Sequence, residues 1–181
     1  MKTLTQWRAW LPMVAVGIFA GCSQTMKSPD VSDNIRRSLD QAGLKKVSVN
    51  QDRDKGVVTL GGQVPGDSDK AQAESIARSI ASGQVVADQI AVVPLGAESE
   101  AKAINSDLDK GIEQNLDAAL IQSKLHDRVK YAVKNHVVTL SGEVGSQSQR
   151  REAERVAASV PNVQQVVNEL QVKNQKATSS E

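Results

Sequence analysis

The sequence predicts an α+β protein made of two tandem small domains, each with two helices on one face of a three-stranded sheet. The phrase "VVTLGGQV" at 57–64 returns as "VVTLSGEV" at 137–144. Aligned without gaps, residues 57–92 and 137–172 agree at 14 of 36 positions. Within each copy the hydrophobic period changes between the strand value of two and the helical value of about 3.6. Two copies are too few for a solenoid, so we expect a pair of domains.

Each copy is predicted to open with an amphipathic helix followed by a short strand. The helical pattern covers residues 35–44 in the first copy and 116–125 in the second. The strands follow near 47–51 and 129–133. The order in each copy is then helix, strand, strand, helix, strand.

The repeated phrase is the predicted central strand, and an alanine-rich helix follows it. Alternating residues of the strand share one face: Val58, Leu60, Gly62 and Val64, with Val138, Leu140, Gly142 and Val144 in the second copy. The helix carries a narrow apolar stripe: Ala73, Ile76, Ala77 and Ile80, with Ala153, Val156, Ala157 and Val160 in the second copy. Ser68, or the pair Ser146 and Gln149, is expected to cap its start, and Pro161 helps to end the second of these helices.

The unit closes with a strand at 85–93 and 165–173. Gly62 and Gly142 are expected where a helix crosses the sheet, since the absence of a side chain allows close approach. The alternative interpretation is that these glycines belong to a loop that contacts a ligand.

The segment that joins the copies, 95–110, is predicted either as a short linker or as the start of a long helix. Apolar residues recur every four positions across it: Ile104, Leu108, Ile112, Leu116 and Leu120. On the helical interpretation the second copy's first helix begins as early as Glu98. Gly111 would weaken such a helix by about 0.5–1 kcal/mol relative to Ala.

Residues 1–21 have the form of a secretory signal: a positive start with Lys2 and Arg8, then a ten-residue apolar run from 11 to 20. The run ends in "FAGC", which resembles the lipobox of bacterial lipoproteins, although Phe19 stands where an aliphatic residue is usual. This resemblance implies lipidation at Cys22 and, with Ser23 following, delivery to the periplasmic face of the outer membrane. An ordinary signal with an inert cysteine is the alternative. Residues 22–29 would be a tether.

Composition excludes some classes of function. Without residues 1–21 the chain keeps 20 basic and 21 acidic residues, a net charge of −1, and Tyr131 is its one aromatic residue. Nucleic-acid binders need a cationic surface and usually aromatic stacking, so nucleic acid is not an expected partner. The polar tail "NQKATSSE", 174–181, is expected to be disordered.

The strand "VVTLxGxV", the alanine-rich helix and the closing pattern in "VQQVVNELQV" (163–172) resemble the BON domain family. The resemblance covers residues 30–94 and 111–173. The first copy departs from the pattern: Ser82 and Gly83 replace the usual glycine and valine, and Asp88 replaces the asparagine, so a looser final turn is expected there. With the lipobox, the chain resembles outer-membrane lipoproteins with two such domains. That resemblance implies a periplasmic role in envelope integrity, anionic phospholipid binding for some members, and no enzymatic activity.

No cofactor, metal site or catalytic group is predicted. His126 and His136 have no metal-ligand spacing and are interpreted as surface residues beside strands. Acidic residues are scattered, and a domain of this size leaves little room for an enclosed active site.

Anionic phospholipid binding is the sharper functional hypothesis. Arg128, Lys130 and Lys134 are expected on one face of a strand, and Arg150, Arg151 and Arg155 near the start of the following helix. Each cation near an anionic surface can contribute roughly 1 kcal/mol. The rival is a membrane-tethered protein-binding or chaperone-like scaffold whose partners are unidentified envelope proteins, because small domains with an open sheet edge can pair with partner strands.

Overall fold

The computed structural model describes residues 27–173. The predicted signal, Cys22, most of the tether and the predicted tail lie outside the described residues. The elements, in chain order, are α1 (Ser32–Gln41), β1 (Val47–Asp52), β2 (Val57–Val64), α2 (Asp67–Ile80), β3 (Val85–Asp88), β4 (Ala91–Val92), α3 (Glu98–Gln122), β5 (Val129–Lys134), β6 (Val137–Val144), α4 (Gln147–Ala158), β7 (Gln165–Asn168) and β8 (Gln171–Val172).

The two copies share one sheet topology. In the first, β2 is central, with β1 antiparallel on one side and β3 parallel on the other. In the second, β6 is central between β5 and β7 in the same senses. The predicted α+β class, two-domain organisation and element order are therefore confirmed.

The core of each copy lies between its sheet and its two helices. Alternate residues of the central strand point toward the helices, and the apolar stripes of the two helices pack against them. The largest fully buried side chains are Ile35, Leu39, Val58, Leu60 and Ile90 in the first copy, and Ile112, Leu116, Leu120, Val138, Leu140 and Val144 in the second.

The closing strand of each copy is split in two rather than continuous. β3 and β4 both pair with β2, and β7 and β8 both pair with β6, with two residues between the pieces. At the break, Asp88 Oδ1 accepts the Ile90 N–H at 3.1 Å and Asn168 Oδ1 accepts the Leu170 N–H at 3.2 Å. Both copies therefore make the same local contact at the break, while Asn168 of the second copy makes two further hydrogen bonds to α4.

Gly62 and Gly142 allow a close approach, but of a strand and not of a helix. Both have positive φ, 99° and 114°. A Cβ on Gly142 would lie 2.5 Å from the Arg128 carbonyl oxygen, and one on Gly62 would lie even closer to that of Lys46. The start of the neighbouring strand, not a helix, therefore requires glycine here.

The segment between the copies was expected to be either a short linker or the start of a long helix, and the structure shows the long helix. α3 runs unbroken for 25 residues from Glu98. The predicted cap at Ser68 is wrong, since α2 begins after Gly66 without a side-chain cap. The predicted pair at the start of α4 is confirmed: Ser146 Oγ accepts the Gln149 N–H at 3.2 Å, and Gln149 Oε1 accepts the Gly145 N–H at 2.7 Å.

Candidate functional site

The two copies pack together through the sheet faces that their helices leave uncovered. Four side chains form a separate apolar cluster there, Val57 and Ala87 from one copy with Val137 and Val167 from the other, each no more than 5% exposed. Each pair occupies the same positions of the repeat, eighty residues apart. Such reciprocal use of one surface is the pattern of a two-fold interface.

Polar contacts around this cluster repeat the same reciprocity. Lys55 of the first copy meets Glu169 of the second, with 2.7 Å between Nζ and Oε2. At the equivalent positions Asn135 Nδ2 of the second copy donates to the Gln89 carbonyl oxygen of the first at 2.7 Å. The two domains therefore have a defined arrangement, held by matched but chemically different contacts.

One contact has no counterpart. The Gln165 amide lies across the free edge of β3: its Oε1 accepts the Asp88 N–H at 2.9 Å and its Nε2 donates to the Val86 carbonyl oxygen at 2.7 Å. The amide therefore provides the Asp88 N–H and the Val86 carbonyl with the hydrogen bonds that a backbone residue of a neighbouring strand would make. The equivalent residue of the first copy is Val85, which has no polar group and is 48% exposed.

Beside the interface lies a cleft of about 600 Å³ between the first half of α3, the ends of β2 and β4, and the end of β5. Its floor includes Ala91, Val93 and Val133, and three lysines line it: Lys102 and Lys110 from α3 and Lys134 from β5. Asp109 and Glu113 are the acids of the lining. The cleft therefore joins both domains and carries a small excess of positive charge.

The Asp109 carboxylate is already used in the fold. Asn135 and His136 form a two-residue turn with both φ values positive, 47° and 66°. Asp109 accepts both of their N–H groups at 2.8 Å. These two hydrogen bonds attach α3 to the β5–β6 hairpin. Glu113, the other acid of the cleft lining, accepts no such hydrogen bond from a backbone N–H group of the described residues.

The structure separates the three basic residues predicted around β5. Lys130 and Lys134 are exposed, while Val129 is buried and Tyr131 and Val133 are half-buried, so the predicted alternation is confirmed. Arg128 lies elsewhere, with its guanidinium beside the turn at Gly145.

The three predicted arginines of α4 do not form one free surface. Arg150 is half-buried and its Nη2 donates to the Asn168 carbonyl oxygen at 3.1 Å. Arg155 pairs with Glu152 through two hydrogen bonds, and this pairing raises the pKa of Arg155. Arg151 is exposed.

Lys102 and Lys110, which line the cleft together with Lys134, were not predicted as site residues. Both stand in the segment between the copies, where a flexible linker would leave their positions undefined. The four-residue recurrence of apolar residues that predicts a helix from Glu98 was the signal that could have placed them.

The histidines are not equivalent. His126 is exposed, and its Nε2 lies 2.9 Å from Asp117 Oδ1, which also accepts the Tyr131 hydroxyl at 3.1 Å. Burial, together with that carboxylate, raises the pKa of Tyr131. His136 is half-buried in the hairpin turn between β5 and β6, and its buried Nε2 has no hydrogen-bond partner among the described residues. Residues 27–173 contain no cluster of three potential metal ligands.

The fold defines a class of protein: two α+β repeats joined face to face, with a long helix between them. Comparison with known families identifies this class. The BON domain matches residues 28–94 and 108–174, and the chain belongs to the BON domain family.

Osmotically-inducible protein Y of Escherichia coli strain K12 is 31% identical over 137 residues, which cover 75% of this chain and 67% of that protein. Two solved structures of CdsD, a structural protein of the Type III secretion system of Chlamydia trachomatis, align with a TM-score of 0.33 each, and the first is of its C-terminal domain. Their identities are 12% and 13%, covering 80% and 78% of this chain and 66% and 61% of those chains. Among the described residues, no helix has the length and apolar character needed to span a membrane.

Proposed function

We propose that this chain is a periplasmic lipoprotein, anchored at the outer membrane through Cys22, that supports the envelope under osmotic stress by binding anionic phospholipid. The name of its relative, osmotically-inducible protein Y, supports the link with osmotic stress. The proposed binding surface consists of the three lysines that line the cleft, Lys102, Lys110 and Lys134, and of Lys130, which alternation places on the same face of β5 as Lys134; these four are called the lysine row below.

The observation that supports this surface is the difference between lysines and arginines in the second copy. Among residues 27–173, Lys102, Lys130 and Lys134 make no ion pair, while Lys110 pairs with the exposed Asp107 at 3.3 Å. Arg150 and Arg155 are engaged within the fold. Lys102, Lys130 and Lys134 are therefore available to a phosphate group, as is Arg151 on α4, which is exposed and makes no ion pair within the described residues.

The first copy lacks the equivalent charges. In the strand register, Ser48 and Asp52 of β1 occupy the places of Lys130 and Lys134 of β5. The second copy is therefore the one suited to an anionic surface. Three free lysines, at roughly 1 kcal/mol each, would supply about 3 kcal/mol, or roughly a hundredfold in affinity.

Co-sedimentation with vesicles tests this proposal. Residues 23–181 are mixed with vesicles of anionic or zwitterionic phospholipid at 0.05 M and 1 M salt, where the screening length falls to about 3 Å. We expect pelleting with anionic vesicles alone, lost at high salt and strongly reduced in Lys130/Lys134→Gln. The matched control, Lys45/Lys46→Gln, removes the same charge from exposed positions of the first copy and should bind normally.

A further variant, Arg151/Arg155→Gln, separates the helix from the lysine row. Equal losses in both double variants would mean that net charge and not the lysine row governs binding. Absence of pelleting in every condition would overturn phospholipid binding and leave the anchor as the membrane contact.

A protein-binding scaffold is the second candidate, and exposed apolar residues favour it. Ile104 and Leu108 lie one helical turn apart on α3, 60% and 37% exposed, and Leu95 just before the helix is 83% exposed. An apolar interface of this kind should survive 1 M salt, whereas the lysine row should not.

A further inference from the structure

Asp88 is the one charged residue that is buried among residues 27–173, at 6% exposure. It ends β3, next to the interface between the domains. Its Oδ1 accepts the Ile90 N–H, while its Oδ2 accepts no hydrogen bond from the described residues. A carboxylate in so buried a residue, with one hydrogen-bond donor, is costly to keep ionised, so the surroundings of this group are informative.

The second copy shows what a neutral side chain does at the same place. Asn168 keeps the equivalent contact through Oδ1, and its Nδ2 donates to the Arg150 carbonyl oxygen at 3.2 Å and to Glu154 Oε2 at 2.9 Å. These bonds brace the end of β7 against helix α4. The acceptors require a donor, which an ionised carboxylate cannot supply.

Those acceptors are present in the first copy as well. Lys70 and Glu74 on α2 are the repeat equivalents of Arg150 and Glu154. A cavity of about 210 Å³ beside Asp88 is lined by Lys70, Glu74 and Arg78 from α2 and, from the second copy, by the uncharged residues Val137, Gln164 and Gln165. Glu74 therefore lines the same cavity as Asp88, and its carboxylate is paired there with Arg78.

We propose that Asp88 is a proton-operated brace: protonated, it donates to helix α2 as Asn168 donates to helix α4, and ionised, it releases that bond. The proton sits on Oδ2, the acceptor is the Glu74 carboxylate or the Lys70 carbonyl oxygen, and Oδ1 keeps the Ile90 N–H in both states. One domain thus carries a pH-sensitive brace and the other an insensitive one.

The electrostatics agree with this geometry. Burial is the main cause that raises the pKa of Asp88, and Glu74 adds to it, while the Ile90 N–H, Lys70 and Arg78 act in the opposite direction. A carboxyl group whose pKa is higher in the folded than in the unfolded chain adds stability at low pH and loses it as pH rises through the folded value. The brace is therefore formed at pH values below the folded pKa of Asp88 and released above it.

The position of Asp88 connects the brace to the rest of the molecule. The Asp88 N–H donates to Gln165 of the other domain. The Asp88 carboxylate accepts the N–H of Ile90, and the next residue, Ala91, lines the cleft. Release of the brace would therefore loosen the edge of the first domain where the second domain and the cleft both meet it.

Two measurements on residues 23–181 test the brace. Carbon-13 NMR of the Asp88 carboxyl group should give a titration midpoint above the ordinary value of 3.8. Urea unfolding between pH 4.5 and 7.5 should show Asp88→Asn with a higher midpoint than the unaltered chain at pH 7.5. That difference should shrink as pH falls, because protonated Asp88 then makes the amide's bond.

Asn168→Asp is the matched control in the other domain. It should lower the urea midpoint at pH 7.5 and recover part of the loss at pH 4.5, since it installs the same switch in the second copy. A gap between Asp88→Asn and the unaltered chain that stays constant with pH would overturn the proposal. So would a carboxyl titration at or below 3.8, which needs no variant to fold.

Discussion

The hairpins of the two copies join equivalent strands by different means. In the first copy four residues separate β1 from β2, and Asp52 caps the loop from within, accepting the N–H groups of Asp54 and Lys55 at 3.0 and 3.1 Å. Hydrogen bonds to these N–H groups, led by that of Lys55, and the Lys55 charge lower the pKa of Asp52. In the second copy two residues suffice, and the cap is Asp109, from helix α3.

The difference shows how a repeat becomes a connected pair. The hairpin of the first copy takes its cap from its own strand. The second hairpin takes its cap from the helical extension that precedes the second copy, so the same carboxylate that closes the turn also holds the first half of α3 against the sheet. The cleft and its lysines depend on that attachment.

The largest expected effect comes from the glycine shared by both central strands. Gly62→Ala should lower the free energy of unfolding by roughly 2–5 kcal/mol, because it combines a left-handed backbone with a collision against the Lys46 carbonyl. Gly142→Ala should cost less, since its Cβ would lie farther from the Arg128 carbonyl. Urea unfolding of both variants measures the two values.

Equal costs in the two glycine variants would mean that the strain of positive φ decides the effect and that the collision relaxes. Gly83→Ala is the control, since it has a φ of 82° but no atom near the added Cβ. It should cost only the strain.

The next effect tests the contact that lacks a counterpart. Gln165→Ala removes both hydrogen bonds to the β3 edge and should lower the free energy of unfolding by about 1–3 kcal/mol, because the Asp88 N–H and Val86 carbonyl lose their partner. Val85→Ala, at the equivalent position of the first copy, should cost about 0.5 kcal/mol or less. Thermal unfolding of both, with small-angle scattering to detect separation of the domains, is the measurement. A Gln165→Ala value as small as that of Val85→Ala would show that the apolar cluster alone orients the domains.

Much of each domain could be predicted from the sequence, because the core depends on local periodicity. Alternation in β2 and the stripe of α2 each fix which residues turn inward, and both copies repeat them. The split of the closing strand could not be predicted, since it depends on a side chain that bonds to the backbone two residues ahead. Asp and Asn are disfavoured in strands, but one such residue inside an apolar run does not by itself predict a break.

The arrangement of the domains was not predictable for a physical reason. Val57 and Val137 stand on the sheet face that alternation assigns to solvent, and a single valine there is unremarkable in a sequence. Their burial depends on a partner surface eighty residues away. The same limit applies to the candidate site. Lys134 was predicted as a site residue, but it lines the same cleft as Lys102 because α3 packs against β5.

The smallest expected effect concerns the ion pair between the copies. Lys55 is 44% exposed and Glu169 12%, so solvent screens the pair and its removal should lower the free energy of unfolding by only about 0.2–1 kcal/mol. The hydrogen bond to Glu169 is the main cause that raises the pKa of Lys55 above 10.5. The pair's contribution is therefore complete from neutral pH up to pH 10.5 and is lost as pH rises through the folded value of Lys55.

A double-mutant cycle of Lys55→Met and Glu169→Gln isolates this term, because the two side chains contact each other directly. The coupling energy should fall at 1 M salt and vanish in strong alkali. At the reciprocal position Asn135 makes a neutral bond to the Gln89 carbonyl, which needs no charge and should not respond to salt. A coupling that persists at 1 M salt would show that the short hydrogen bond between Lys55 Nζ and Glu169 Oε2, and not the screened attraction of charges, makes the contribution. The charged and neutral halves of the interface would then be physically equivalent.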